Sequence, residues 1–304
     1  MDELNNLNKY LSKFSLTRSK ESFKKNICFI VGLPRCGSTL LQQVLISRYQ
    51  VGFVSNIIGK FWENPVAGTI LHTSLYEKNY ISNFRSEYGN TKGPFEPCEF
   101  GWFWKKNLNI DIETDCIGSE VNWDYINETL QGMASVFLQP LIFDTPLVCN
   151  QISKISDNID SVKFIYLQRN SKSVCNSILA ARKKRFGNIN CFYGAKPKTW
   201  EEISKISDPI IQVVQQVCDL KREIEIDLKL LPNNDVLNID ISLLREKPLE
   251  VADKIADFIN IEGLPKGVDY PIFSNRDNLP FFDKKLEAKL KKAWDVIFHN
   301  EYTY

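Results

Sequence analysis

The 304-residue sequence contains no C-x-x-C pair, no long apolar run and no excess of basic charge. Each absence removes a class of function. Without paired cysteines a zinc centre is not expected. The eight cysteines, at 28, 36, 98, 116, 149, 175, 191 and 218, read as free thiols of a reducing compartment rather than as a disulfide framework. No apolar stretch reaches the roughly 18 residues of a membrane span. The opening MDELNNLNKYLSKF also lacks the apolar segment of a secretion signal, so a soluble, cytoplasmic protein is expected. Lys and Arg number 38 against 37 Asp and Glu, for a formal charge of +1, which is not the balance of a general nucleic-acid binder. Internal repeats and low-complexity segments are missing as well. The chain is read as one domain over 1–304, with a charged N-terminal helix or tail over 1–25.

What is present is an alternation of strands and helices. Ile27–Val31, Leu147–Asn150, Ser161–Gln168 and Asp235–Ile239 read as strands. Ser38–Ser47, Asn122–Leu138, Ser171–Arg185, Glu201–Leu231 (with a break at Asp208-Pro209), Ser242–Asn260 and Asp283–Phe298 read as helices. This order predicts a three-layer α/β fold around a mostly parallel sheet. Residues 51–120 form an irregular, aromatic-rich insert, too long for an inert loop, which is expected to line an acceptor pocket or to pack as short helices.

The first strand runs into Gly32-Leu33-Pro34-Arg35-Cys36-Gly37-Ser38-Thr39 and then into a helix. This strand–loop–helix has the G-x-x-x-x-G spacing of a Walker A loop, but Ser38 stands where the lysine belongs. A structural turn with an incidental glycine would look similar. Against it, Arg35 places a permanent cation at the mouth of a helix. Gly37 permits close backbone approach, and Ser38 and Thr39 add hydroxyl donors. The loop is therefore expected to hold an anion other than the triphosphate of ATP. A second segment, FIYLQRNSKSVCNS at 164–177, delivers Arg169 to the end of a strand and Ser177 into the following helix. Such a pair could clamp a second phosphate at the sheet's C-terminal edge, or could be an ordinary ion-paired arginine and a packed serine.

Together the two segments resemble the sulfotransferases that use 3′-phosphoadenosine 5′-phosphosulfate (PAPS). The loop is similar to the P-R-x-G-[ST]-[ST]-L-L form of bacterial and tyrosylprotein-type members. The second segment is similar to their R-x-x-x-x-x-x-x-S motif. KPKTW at 196–200 and VLNIDISLLREKPLEVADKIADFINI at 236–261 extend the resemblance loosely. It implies a P-loop-like fold and a metal-independent, in-line transfer of sulfuryl from PAPS to an acceptor hydroxyl or amine. By matching position, Pro34, Arg35, Cys36, Gly37, Ser38, Thr39 and Leu40 would wrap the phosphosulfate, with Arg35 also catalytic. Arg169 and Ser177 would hold the 3′-phosphate, and Arg276 falls where relatives place a late basic loop. The acceptor could be a small molecule, glycan, lipid or peptide. The alternatives are a degenerate P-loop kinase and an inactive nucleotide-binding protein.

Two positions depart from the family pattern. Asn56 stands where several relatives carry a catalytic Glu, and Gln151 where a lysine is common. The acceptor's base must then come from the insert. Glu99, in PCEFGWFW, is the first candidate, because desolvation among aromatics raises a carboxyl pKa. Glu63 and Glu96 follow. Trp102, Trp104, Tyr193 and Trp200 could stack on a ring of nucleotide or acceptor. The run Arg182–Arg185 reads as a solvated helix end or a nucleotide contact, and His72 and His299 as packing residues.

Overall fold

The run ICFIV at 27–31 is apolar at every position because both of its faces are covered, the condition of a central strand in a parallel sheet. The computed structural model describes residues 2–13, 24–77, 79–274, 277 and 284–301. Its strands are β1 Ile27–Val31, β2 Gly52–Phe53, β3 Ser86–Glu87, β4 Asn90–Thr91, β5 Leu141–Asp144, β6 Val162–Gln168 and β7 Val236–Asp240. Its helices begin with α1 Asp2–Leu11, α2 Ser38–Arg48, α3 Pro65–Leu75, α4 Gly101–Asn107, α5 Trp123–Phe137 and α6 Ile152–Asn158. They continue with α7 Ser171–Phe186, α8 Trp200–Ser204, α9 Pro209–Lys229, α10 Ile241–Glu246, α11 Pro248–Ile259 and α12 Lys284–Glu301.

Five strands form a parallel sheet in the order β2-β5-β1-β6-β7. Alternation along each strand feeds two cores. Phe29 pairs in register with Phe143 and Phe164, and the three rings stack beneath Trp104 on one face. Helices α4, α5, α6 and the end of α9 close that side. Cys28, Ile30, Ile142 and Ile165 face the other way, against α2 and α11. The expected three-layer α/β architecture is therefore present. A third core, between α7, α9 and α12, lies beside the loop residue Leu33.

The helix boundaries follow local chemistry. Asp208 caps α9 by accepting from the N–H groups of Ile210 and Ile211, with Pro209 at the first helical position, so the expected break falls there. Asn170 caps α7 through the Ser173 N–H, and Gly187 ends it in the left-handed region. One strand expectation fails. Leu147–Asn150 is not a strand, since Pro146–Val148 is a short 3₁₀ turn. The strand is the preceding β5, and Pro146, with no N–H to give to a ladder, marks where pairing has ended. All eight cysteines are free. Among the described residues no helix is long and apolar enough to cross a membrane.

Candidate active site

The loop between β1 and α2 opens into a cleft of about 1,020 Å³ at the C-terminal end of the sheet. Gly37 is the N-cap of α2, at φ 106°, and an added Cβ would lie 2.6 Å from Cδ1 of Ile241. Gly37 has no side chain to cap the first turn, and the N-terminus of a helix favours an anion. Arg35 also lies at positive φ, 71°. That conformation costs a non-glycine residue about 1–3 kcal/mol and persists only where surrounding contacts impose it.

Those contacts come from the second segment. Arg35 Nε donates to Ser177 Oγ (3.3 Å), and Arg169 Nη1 donates to the Arg35 carbonyl (2.6 Å). The two motifs, more than 130 residues apart, are thus joined directly. Pro34, Arg35, Gly37, Ser38, Thr39, Leu40 and Arg169 all line the cleft. Cys36 lines it too, but its N–H is already bonded to the Leu33 carbonyl (3.0 Å). Its thiol, pushed up to about 11 by burial first and the Asp144 charge second, stays protonated.

Two carboxylates face this cationic loop. Asp144, 4 % exposed at the end of β5, accepts from Thr39 Oγ1 at 3.0 Å. Burial pushes its carboxyl up, against hydrogen bonds from Ser38 and Thr39 and the charge of Arg35. Glu99 lies just before α4 and lines the same cleft. Its carboxyl is pushed up to about 7, by burial first and by the Asp144 charge second, while Arg35 and Arg185 pull it down. A group at that pKa is suited to take a proton near neutral pH.

The hairpin β3–β4 covers Glu99. Both turn residues, Tyr88 and Gly89, have positive φ, as a type I′ turn requires. The Arg35 guanidinium lies 4.9 Å from the Tyr88 ring centre, and Arg185 lies 5.6 Å from Tyr88 and 5.2 Å from Tyr193. Outside the cleft, Glu87 and Lys184 pair at 2.6 Å and tie the hairpin to α7.

The fold has solved counterparts. Sulfotransferase STF9 from Mycobacterium avium matches 100% of this chain and 76% of its own, with a TM-score of 0.54 at 9% identity. The chain has the sulfotransferase fold. Sulfotransferase STF1 from Mycobacterium tuberculosis H37Rv matches 90% of this chain and 78% of its own, with a TM-score of 0.50 at 11% identity. At such identities the likeness is one of fold. No family model and no curated protein matches the sequence.

Within the sulfotransferase fold the remaining sequence candidates separate. Glu63 does not line the cleft; it is ion-paired with Lys106. Glu96 is fully buried and accepts from Gln43, Tyr80, Ser82 and the Asn83 N–H, which anchors the insert to α2. Asn56 bonds Thr91 Oγ1 (2.9 Å) and the Gly93 carbonyl (2.8 Å), so it fastens the insert too. Gln151 holds the Ile117 N–H and the Asp115 carbonyl. Trp104 is core, Trp102 is exposed beside Trp62, and Trp200 packs on Phe192; of the four aromatics considered, Tyr193 alone lines the cleft. His72, fully buried against Ser55, is lowered to about 4 by desolvation and is a neutral packing residue. Arg276 and the side chain of His299 lie outside the described residues.

Among the cleft residues that escaped the sequence reading are Tyr88, Asp144 and Arg245. Asp144 had a signal, since LIFDTP is an apolar run ended by Asp and Pro, the form of a strand's edge. Tyr88-Gly89 had a weaker one, a glycine inside SEYGNT. The basic run also needs correcting. Arg182 is buried, bonded to Gln212 and Gln216 of α9, and only Arg185 of the four lines the cleft.

Proposed function

We propose that this chain is a PAPS-dependent sulfotransferase, moving sulfuryl to an acceptor hydroxyl or amine and releasing 3′-phosphoadenosine 5′-phosphate. The observation that carries the reading is the coupling of the two motifs through Arg35 and Arg169, which line one cleft. Arg35 reaches Ser177, Arg169 reaches the Arg35 backbone, and Glu99 lies near enough to Arg35 to feel its charge. A donor with a phosphosulfate at one end of its ribose and a phosphate at the other suits such a pair. PAPS supplies an activated sulfuryl group. Residues 34–40 would hold its phosphosulfate, and Arg169 and Ser177 its 3′-phosphate. Arg35 offsets charge as it develops on the leaving phosphate. Glu99 takes the acceptor proton, and the loop and hairpin hold the reacting groups in line.

A second reading has one observation in its favour. An Asp at the end of the strand beside β1, bonded to a loop hydroxyl, is the arrangement that holds Mg²⁺ in P-loop kinases and NTPases. Ser38 at the lysine position weighs against it, because no cation there meets the β/γ-phosphates of ATP. Label transfer decides between the two. Transfer from radiolabelled PAPS to an acceptor panel in the presence of EDTA is expected. Phosphoryl transfer requiring ATP and Mg²⁺ would replace this reading with the kinase.

Two substitutions probe the site. Arg169→Ala is expected to weaken 3′-phosphoadenosine 5′-phosphate binding by about 10- to 100-fold in calorimetry, with much less effect on ATP. An equal loss for both would mean that Arg169 serves the fold alone. Gly89→Ala tests the hairpin, because an added Cβ would sit 2.2 Å from Glu99 Oε1 at a φ of +85°. Displacing the base is expected to lower kcat by about 100-fold with nucleotide affinity unchanged; wild-type kcat would show that Glu99 is not the base or that the hairpin yields freely.

A further inference from the structure

Two arginines of the cleft are held by one carboxylate. Arg169 leaves the end of β6, and Arg245 rises from α10 after the neighbouring strand β7. Asp277 Oδ1 accepts from Arg169 Nε at 2.6 Å and Oδ2 from Arg245 Nη1 at 2.7 Å. The three side chains are only 7 %, 8 % and 14 % exposed. Burial alone would raise the Asp277 carboxyl, but the bonds from Arg245 and Arg169 outweigh it and hold it below its usual range. Its backbone is tied separately, since Ser173 Oγ donates to the Asp277 carbonyl at 3.3 Å.

The geometry has a specific chemical meaning. One anion gives each of its oxygens to a different buried guanidinium, which is how a phosphate monoester bridges two arginine forks. The Arg169 fork is fixed to the donor loop through its bond to the Arg35 carbonyl. Both Arg169 and Arg245 line the same cleft as the loop. The Asp277 carboxylate therefore occupies two cleft arginines that an incoming anion would otherwise engage.

We propose that Arg169 and Arg245 together form the subsite for the donor's second phosphate, and that Asp277 is the carboxylate this phosphate displaces. The inference rests on the nucleotide-sulfate reading and adds to it a binding residue, Arg245, and an internal competitor. A dianionic phosphate outcompetes a single carboxylate between two cations, but the exchange lowers apparent affinity by the fraction of time Asp277 occupies the forks. The two residues then act with opposite sign. Removing the competitor tightens binding, whereas removing the arginine weakens it.

The test is a calorimetric titration of the full chain with 3′-phosphoadenosine 5′-phosphate and with adenosine 5′-phosphate. Asp277→Asn, with Asp277→Ser as a second variant, is expected to tighten the bisphosphate by about tenfold. Arg245→Gln is expected to weaken it by about tenfold or more. Neither should change the 5′-phosphate, which lacks the second anion. Thermal melts confirm that each variant folds. If Asp277→Asn weakens the bisphosphate, Asp277 orients the arginines for the ligand and the proposal fails. If the wild type prefers the bisphosphate but all variants leave that preference unchanged, the nucleotide reading stands and this inference falls. If the wild type binds neither nucleotide, both fall.

Discussion

Replacing Glu99 with Gln lowers kcat by about 10²- to 10⁴-fold, the range for loss of a general base, and leaves 3′-phosphoadenosine 5′-phosphate binding unchanged. The expectation follows from position before titration. Glu99 lines the cleft that holds Arg35 and lies directly under Gly89 of the hairpin. Its surroundings then set when it works. Burial disfavours the charged form and Asp144 adds like charge, so the carboxyl is raised to about 7. A base must be ionised, so kcat/KM climbs as pH rises through about 7 and levels above it. Glu99→Gln removes that limb as well as the rate. Glu99→Asp, which keeps a carboxylate on a shorter arm, retains the limb at a lower rate. A Glu99→Gln enzyme with wild-type kcat and an intact pH limb would move the base elsewhere, with Asp144 the next carboxylate in the cleft.

Replacing Arg35 with Met lowers kcat by about 10²- to 10³-fold at saturating donor, the magnitude for removing one group that stabilises developing charge. Arg35 is held by Ser177 Oγ, by the Tyr88 ring and by a backbone at φ 71° that Arg169 braces through the carbonyl. Those supports aim the guanidinium without neutralising it, because a hydroxyl and an aromatic face carry no negative charge. Arg35→Lys keeps the charge but loses the Nε bond to Ser177, so it recovers part of the rate. If kcat stays at its wild-type value in Arg35→Met while KM for the donor rises, the arginine binds ground state and transition state equally and has no special part in catalysis.

The framework was readable because its signals are local. Ile27–Val31 is an unbroken apolar run ending in glycine, and the helix after it begins at Ser38 as expected. Arg169 follows a strand of strong pattern and precedes a helix with an Asn cap, which places it at the sheet's edge. Other parts depend on who is next to whom. Arg245 joins Arg169 because β7 pairs with β6, which no spacing between residues 169 and 245 announces. Asp144 ends a strand of four residues, too short to display a period, and the strand expectation fell downstream of it, on Leu147–Asn150. Arg182 looked like one of four solvated charges until α9 offered it two glutamines. Of the three candidate carboxylates, the aromatic setting favoured Glu99, and Glu99 lines the cleft. That setting could not show that Glu96 would be consumed by four donors or Glu63 by Lys106.

The central claim is that the loop at 32–39 and the pair Arg169–Ser177 form one clamp for a nucleotide with two separated anions. Titration of the wild-type chain with 3′-phosphoadenosine 5′-phosphate, against ATP with and without Mg²⁺, tests it most directly. The account predicts micromolar binding of the bisphosphate that is indifferent to Mg²⁺, and ATP weaker by about 10- to 100-fold. Equal affinity for the two, or ATP binding that exceeds the bisphosphate once Mg²⁺ is added, would contradict it.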